Sequence, residues 1–171
     1  MKDMARLLAL DVGEVRIGVA VSDDRGILAS PYTTLRASRD EQQTWQAIQR
    51  LVEEIEAEGV IVGLPISLDG QIHTQGQRVQ SFAERLRSHI TVPLSFWDER
   101  LSTVEAERLL AERNQEGVGR KAQRRTGRQR TRTKRRRPEQ EIDALAAAVI
   151  LQEYLDHLRS GKKESRIHEA T

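Results

Sequence analysis

The chain has 171 residues, a length that suits a single domain able to bury a substantial core. It contains no cysteine, which excludes disulfides, thiolate metal sites and a thiol nucleophile, and which fits a reducing, cytoplasmic setting. Nothing in it approaches the run of about 20 apolar residues that spans a membrane, so we expect a soluble protein without a membrane partner.

The nearly neutral net charge of +2 conceals a separation of charge along the chain. Residues 120–137 hold eleven of the 28 basic residues and no acidic ones, which leaves 17 basic against 26 acidic residues, or −9, for the remainder. The eleven are Arg120, Lys121, Arg124, Arg125, Arg128, Arg130, Arg132, Lys134, Arg135, Arg136 and Arg137. An acidic body with one intensely basic segment predicts a polyanionic partner that this segment contacts.

Strand patterns dominate the first part of the chain. Apolar residues over Leu7–Val12 and over residues 17–21, joined by a short turn with Gly13, predict a β-hairpin. A third strand is predicted over residues 27–35, where Pro31 favours an edge position or a bulge.

Helices and strands then alternate. A capping box that begins at Ser38 predicts a helix that continues until Gly59 stops it, and the apolar run of residues 60–64 predicts a strand covered on both faces. A second helix and a strand over residues 92–97 follow, and a further helix is predicted from Ser102. The second helix is marked by Val79, Phe82, Ala83 and Leu86, and the one from Ser102 by Ala106, Leu109 and Leu110.

Pro138 suits the first turn of a last helix. Its predicted apolar stripe consists of Ile142, Leu145, Ala146, Val149 and Leu158, and the polar residues from Gly161 onward predict a frayed end. These elements predict an α/β fold with a five-stranded mixed sheet, three strands antiparallel and two parallel, and helices on both faces. We expect one domain over residues 1–158, interrupted by a basic, mobile segment at 119–138 and followed by a flexible polar tail at 159–171.

Three acidic residues have apolar surroundings. Asp11 ends the first strand, Glu99 follows the last strand, and Asp143 lies near the start of the final helix. The ends of central strands meet at one rim of such a sheet, where three carboxylates would repel one another unless cations lay among them. Oxygen ligands without cysteine or clustered histidine indicate Mg²⁺ or Mn²⁺, and a pair of such ions is the apparatus of phosphodiester hydrolysis.

Each acid also has a simpler interpretation. Asp11 could shape a turn, Glu99 could pair with Arg100 or cap the next helix, and Asp143 could interact with the helix dipole. Asp98 competes with Glu99, because alternation along a strand places the two side chains on opposite faces. Glu139, one helical turn before Asp143, is either a fourth ligand or a solvated acid.

Several stretches, in chain order, are similar to one known family. They are “LALDVGEVRIGVAVSD”, “ILASPYTTL”, “VIVGLPISLDG”, “WDERLST” with “VEAERLL”, and “IDALAAAVILQEYLD”. The family is that of the YqgF-type proteins, which are named pre-16S rRNA nucleases and were formerly named Holliday junction resolvases. The resemblance covers nearly the whole chain apart from the basic segment and the tail.

This resemblance implies a ribonuclease H-like fold with the active site at the rim of the sheet. It also implies metal-dependent nuclease chemistry in maturation of the 5′ end of 16S ribosomal RNA, in the cytoplasm. The family's acids correspond to Asp11, Glu99 and Asp143, the same three that their apolar surroundings indicate. Gly13, Arg16 and Gly18 match as well.

Further residues are candidates for contact with the substrate. Arg16 would contact a phosphate or balance the acids, with a surface charge on the hairpin as the alternative. Gly63 and Gly70 would let backbone approach the substrate, or would only shape a turn. Arg100 is a further candidate, and the basic segment, which departs from the family pattern, predicts salt-sensitive and largely sequence-independent attachment to nucleic acid. Its alternative is a solvated loop.

Three functions remain open from the sequence. The first is a nuclease for structured RNA, in particular pre-16S rRNA, which could act on ribosomal particles. The second keeps the chemistry and replaces the substrate with branched DNA, for which a resolvase would need a dimer. The third is a non-catalytic RNA-binding factor of ribosome assembly, in which the acids are structural. The oligomeric state is not predicted.

Overall fold

A computed structural model describes residues 6–99 and 138–168, with side chains for 6–99 and 140–160. Within these ranges lie five strands and three helices. They are β1 Leu7–Val12, β2 Arg16–Ser22, β3 Ala29–Arg36, α1 Glu41–Glu54, β4 Gly59–Leu64, α2 Thr74–Arg87, β5 Leu94–Asp98 and α3 Pro138–His168. The helix predicted from Ser102 and the basic segment lie outside the described residues.

The five strands form one mixed sheet in the order β3-β2-β1-β4-β5. Strands β1, β2 and β3 are antiparallel neighbours, whereas β4 runs parallel to β1 and β5 parallel to β4. This confirms the predicted architecture. The edge strand β3 also has the predicted bulge, because Val19 pairs with Thr33 and Ala20 with Pro31, which leaves Tyr32 as the extra residue.

The two faces of the sheet differ in side-chain size. One face carries large buried residues such as Leu8, Leu10 and Val62, which pack in one core with residues of α1 and α2. The other face carries small residues on β1 and β2, Ala9 and Ala20, and larger ones, Ile61 and Trp97, on β4 and β5, and all four pack in a second core with residues of α3. The alternation of side chains along each strand separates the two faces, and the small residues of β1 and β2 let α3 approach these strands closely.

Helix α3 is held against the sheet at both ends of its contact. Near its start, the Thr34 hydroxyl donates to the backbone carbonyl of Gln140 at 2.5 Å. Further along, the Gln152 side chain donates to the carbonyl of Ile27 and accepts from the amide of Ala29, both at 2.9 Å. These hydrogen bonds contact β3 at its start and again five residues later, so they fix the position of the helix along this strand.

The ends of α1 differ from the prediction. The N-cap is Asp40, whose carboxylate accepts a hydrogen bond from the Gln42 amide. Ser38 precedes the helix, and its backbone amide donates to the Thr44 hydroxyl. The prediction of a stop at Gly59 was also wrong, because α1 ends at Glu54 and Gly59 already belongs to β4. The chain reverses instead at Glu56, which has a φ of 53°.

The predicted apolar stripe of α3 was wrong as well. Ile142, Leu145 and Val149 face solvent and are 46–63% exposed. The buried residues are Ala144, Ala147, Ala148, Ile150, Leu151 and Leu155. The sheet beneath the helix leaves room for alanine rather than for a large side chain at the closest points, which explains the reversal. The helix also continues through Gly161 to His168, where the sequence predicted a frayed end. No helix in the described ranges is long and apolar enough to cross a membrane.

Candidate active site

Asp11 lies in β1 between two residues without side chains. Its neighbour across the antiparallel pair is Gly18 of β2, and the register Leu10 to Val62 places Gly63 of β4 beside it on the other side. All three share the face that α3 covers, because Ala9, two residues before Asp11, packs in that core. The two glycines leave space above the sheet around this carboxylate.

Glu99 fills the space on the β4 side. Its backbone amide donates to the carbonyl of Leu64 at 3.2 Å, so it continues the parallel pairing one residue beyond β5. A Cβ on Gly63 would come within 2.5 Å of the Glu99 Oε1 atom, which shows that the carboxylate lies directly over that glycine. By strand alternation Asp98 is on the opposite face, so Glu99 is the one of the two that faces Asp11.

Asp143 reaches the same rim from α3. A Cβ on Gly18 would collide with the backbone carbonyl of Asp143, so this glycine permits the close approach of the helix. The Asp143 side chain accepts a hydrogen bond from Nε of Arg16 at 2.6 Å. In this ion pair the Arg16 side chain is 37% exposed and the Asp143 side chain 24%. Of the expectations for Arg16, the structure therefore contains the balancing of an acid.

The electrostatic environment of the rim disfavours the charged forms of Asp11 and Glu99. Burial raises the pKa of Asp11, and the charge of Asp143 raises it further. Burial also raises the pKa of Glu99 to about 7, with added repulsion from Asp11, Glu153 and Asp98. Among the described side chains, no cation or hydrogen-bond donor contacts the carboxylates of Asp11 and Glu99.

The carboxylate oxygens of Asp11 and Glu99 suit a hard divalent cation, because no described side chain supplies them with a countercharge. They are not arranged as a closed metal site, however. Within residues 6–99 and 140–160, no three or more acids or histidines lie close enough together to hold one ion. Asp143 is engaged by Arg16, so binding of a cation by all three acids requires local movement of side chains.

Glu153 is a neighbour of the site that sequence reasoning missed. Its carboxylate accepts a hydrogen bond from the indole Nε1 of Trp97 at 3.3 Å, and its charge acts on Glu99. Trp97 also contacts Tyr154 edge to face and His157 at 5.3 Å between ring centroids. No spacing in the sequence reveals this cluster, since it depends on how α3 crosses the sheet.

The remaining candidates fall into two groups. Gly63 makes room for Glu99 and for Ile150, and Gly70, with a φ of 80°, closes a turn in the loop after β4. The side chain of Glu139, Arg100 and all eleven basic residues of the segment lie outside the described residues.

Comparison with known proteins identifies the family. A family model described as “RuvX: Holliday junction resolvase” matches residues 5–157. The chain belongs to the RuvX family. The resemblance found in the sequence is thereby confirmed, since RuvX relatives carry the name expected for YqgF-type proteins.

Three relatives of this RuvX chain show the extent of the similarity. Each is named “Putative pre-16S rRNA nuclease”. The protein from Thermoanaerobacter pseudethanolicus is 39% identical over 151 residues, covering 88% of this chain and 96% of its own length. That from Caldanaerobacter subterraneus is 41% identical with the same coverage, and that from Chloroflexus aurantiacus 40% identical over 159 residues, 93% of this chain and 92% of its own.

Solved structures give the fold. The RuvX chain is similar to Thermus thermophilus RuvC in complex with a Holliday junction substrate, with a TM-score of 0.53 over 92% of this chain and 97% of that one. A second Thermus thermophilus RuvC structure gives a TM-score of 0.52. At 14–15% identity these likenesses bear on the fold alone, and they confirm the ribonuclease H-like prediction.

Proposed function

We propose that this chain is a Mg²⁺- or Mn²⁺-dependent nuclease that hydrolyses phosphodiester bonds in 5′-end processing of pre-16S ribosomal RNA. The observation that carries this is the proximity of two half-buried acids, Asp11 in β1 and Glu99 directly after β5, at a rim that Asp143 also reaches. Two such carboxylates, which contact no cation among the described side chains, do not stabilise the fold. Their proximity is therefore explained if the two carboxylates bind a cation that the reaction requires.

Asp11, Glu99 and Asp143 would hold the cation, which we expect to bind as a pair of ions. When bound, such ions lower the pKa of a water molecule and stabilise the leaving oxygen of a phosphodiester. The chain's own residues prepare for this. Gly63 lets the Glu99 carboxylate and Gly18 lets the backbone of α3 at Asp143 come close to Asp11, and the Arg16 guanidinium neutralises Asp143 until a cation takes its place.

Structured RNA is the substrate that we propose, and ribosomal particles are a possible context for it. The names of the relatives support this choice, and so does the basic segment of residues 120–137, whose charge would attract the phosphate backbone of any nucleic acid. Substrate contacts are proposed for Arg16, for Arg100 and for the basic residues of that segment. We expect the protein to act in the cytoplasm, where ribosomes are assembled.

Branched DNA is the second candidate substrate, because the family description names a Holliday junction resolvase. The chemistry would be the same, but two active sites would have to face two strands. Competition between a pre-16S rRNA fragment and a four-way DNA junction, at several salt concentrations, separates the two. We expect the RNA to be cleaved with the higher kcat/KM, and preference for the junction would overturn the RNA assignment.

The metal-dependent chemistry is tested with Glu99→Gln. We expect wild-type protein to cleave the fragment only with Mn²⁺ or Mg²⁺, and the variant to bind Mn²⁺ more weakly in calorimetry. Glu84→Gln, which changes an exposed acid on α2, is the matched control. Cleavage in the presence of a chelator, or equal Mn²⁺ affinity in the wild type and Glu99→Gln, would refute the proposed metal site.

A further inference from the structure

Leu68 is the most exposed large apolar side chain of the described residues, with 93% of its surface in contact with solvent. It lies in the loop that joins β4 to α2. The loop contains two other aliphatic residues, Ile66 and Ile72, and both pack against the core. The loop thus partly buries two of its three aliphatic side chains and presents the third to solvent, although such exposure has no benefit for folding.

The backbone around Leu68 is closely held. The Gly70 amide donates to the Ser67 carbonyl at 2.8 Å, and the Ser67 amide donates to the Gln71 carbonyl at 3.0 Å. The Asp69 carboxylate accepts from the Gln71 amide at 2.9 Å, and Gly70 adopts the positive φ that the turn requires. Leu68 therefore stands at the tip of a hydrogen-bonded turn, in a fixed place.

The loop that carries this tip starts at the same edge of the sheet as the candidate active site, although Ile66 and Ile72 pack in the core with α1 and α2 while the acids lie on the face that α3 covers. The loop begins directly after Leu64, whose carbonyl accepts from the Glu99 amide, and Gly63 lies between Asp11 and the Glu99 carboxylate. Four residues of extended chain reach no further than about 14 Å, so Leu68 is within a few nucleotides of the acids. The loop is anchored on its other side by Gly76, where a Cβ would meet the Pro65 carbonyl and Ile72.

We propose that Leu68 inserts between two neighbouring bases of the RNA and unstacks them next to the phosphodiester that is cleaved. This role rests on the proposed nuclease function. Apolar wedges, leucine among them, separate base steps in several nucleic-acid complexes, because the side chain replaces base stacking with its own contact. A wedge on a preformed turn loses little conformational entropy on binding. Leu68 is thus a positioning residue that opens paired RNA at its boundary with a single strand.

The direct test is fluorescence of 2-aminopurine in an RNA hairpin with a single-stranded tail. The analogue is placed in turn at each position near the boundary, and the RNA is bound to Asp11→Asn protein so that no cleavage is needed. We expect fluorescence to rise at one or two adjacent positions. The rise should disappear with Leu68→Ala, return with Leu68→Met, and persist with Leu28→Ala, which truncates an exposed leucine between β2 and β3 at the other end of the sheet.

Cleavage provides the second measurement. In otherwise wild-type protein, Leu68→Ala should lower the ratio of kcat/KM on paired RNA to that on unpaired RNA about tenfold, whereas Leu28→Ala should leave this ratio unchanged. No rise in fluorescence, or a rise that survives Leu68→Ala, would overturn the wedge. Cleavage without unstacking refutes the wedge alone, and unstacking by a protein that does not cleave refutes the nuclease alone.

Discussion

At the scale of single residues, Asp11 and Glu99 lie in an environment that disfavours their charged forms. Both are largely withdrawn from water, each repels another acid, and the two flanking glycines contribute no polar group from a side chain. A carboxylate in such a place is more stable as the neutral acid, unless a cation neutralises the charge. These features are more typical of a cation-binding site than of a structural ion pair.

Stability of the metal-free protein should therefore depend on pH through Glu99. Its pKa is about 7 in the folded protein against an ordinary value of 4.5, so the stabilising effect of the proton is full below pH 4.5 and disappears as pH rises through about 7. We expect this to lower the free energy of unfolding by on the order of 2 kcal/mol, after allowance for partial exposure of the group.

Urea denaturation with a chelator, from pH 4.5 to pH 8, measures this effect. The difference between wild type and Glu99→Gln should change across that window, whereas the difference between wild type and Glu84→Gln should stay constant. A constant difference for Glu99→Gln would mean that folding does not raise the pKa of Glu99.

At the scale of elements, the position of α3 determines whether Asp143 and Arg16 can meet. Arg16 and Gly18 lie two residues apart on one face of β2, and the backbone of the helix at Asp143 rests on that glycine. The contact needs a strand residue without a side chain and a helix face of alanines, and both are present.

Gly18→Ala should accordingly be among the most damaging small substitutions in the protein. Its methyl group would meet backbone of α3, which cannot rotate away, so we expect a loss of about 3 kcal/mol in the free energy of unfolding. Gly59→Ala is the matched control, because its methyl group would meet the flexible end of the Leu7 side chain at 3.0 Å and the Pro93 carbonyl at an ordinary contact distance of 3.7 Å. Denaturant titration of both variants should show a much smaller loss for Gly59→Ala, and equal losses would contradict this role of Gly18.

The same contact explains what could be predicted at this scale. The hairpin, the parallel strands and the three acids follow from local rules, because strand patterns are short-range and acids at the ends of buried strands are costly. The face of α3 is where the sequence prediction is wrong, since helical spacing favours large residues such as Ile142 as the buried set. The alternative stripe, Ala144 with Ala147, Ala148 and Leu151, has helical spacing too. Choosing between the two stripes requires knowing that β1 and β2 present small residues to the helix. The hydrogen bond from Trp97 to Glu153 depends on the same tertiary information.

At the scale of the whole molecule, the chain combines an acidic body with a basic segment. The two signs of charge serve different tasks in the proposed function. The segment would bind the phosphate backbone over a long range, while the acidic rim would engage a cation and one phosphodiester. Attachment and cleavage should therefore respond differently to salt and to substitution.

Replacing all eleven basic residues of 120–137 with glutamine should weaken RNA binding and flatten its salt dependence. Each phosphate that a basic residue neutralises on a single strand contributes about −0.7 to the slope of log K against log salt concentration, so the slope should fall by up to about 8. Fluorescence anisotropy at several salt concentrations measures it. An unchanged slope would show that the segment does not contact the RNA.

Cleavage of a pre-16S rRNA fragment by Asp11→Asn with Mn²⁺ tests the nuclease site most directly. The matched control is Asp156→Asn, which neutralises an exposed acid of α3 about 20 Å along the helix from Asp143. Because Asp11 is the acid between the two glycines, we expect its variant to lose at least about 100-fold in kcat while Asp156→Asn retains the wild-type rate. Cleavage by Asp11→Asn at the wild-type rate would contradict the assignment of this rim as the active site.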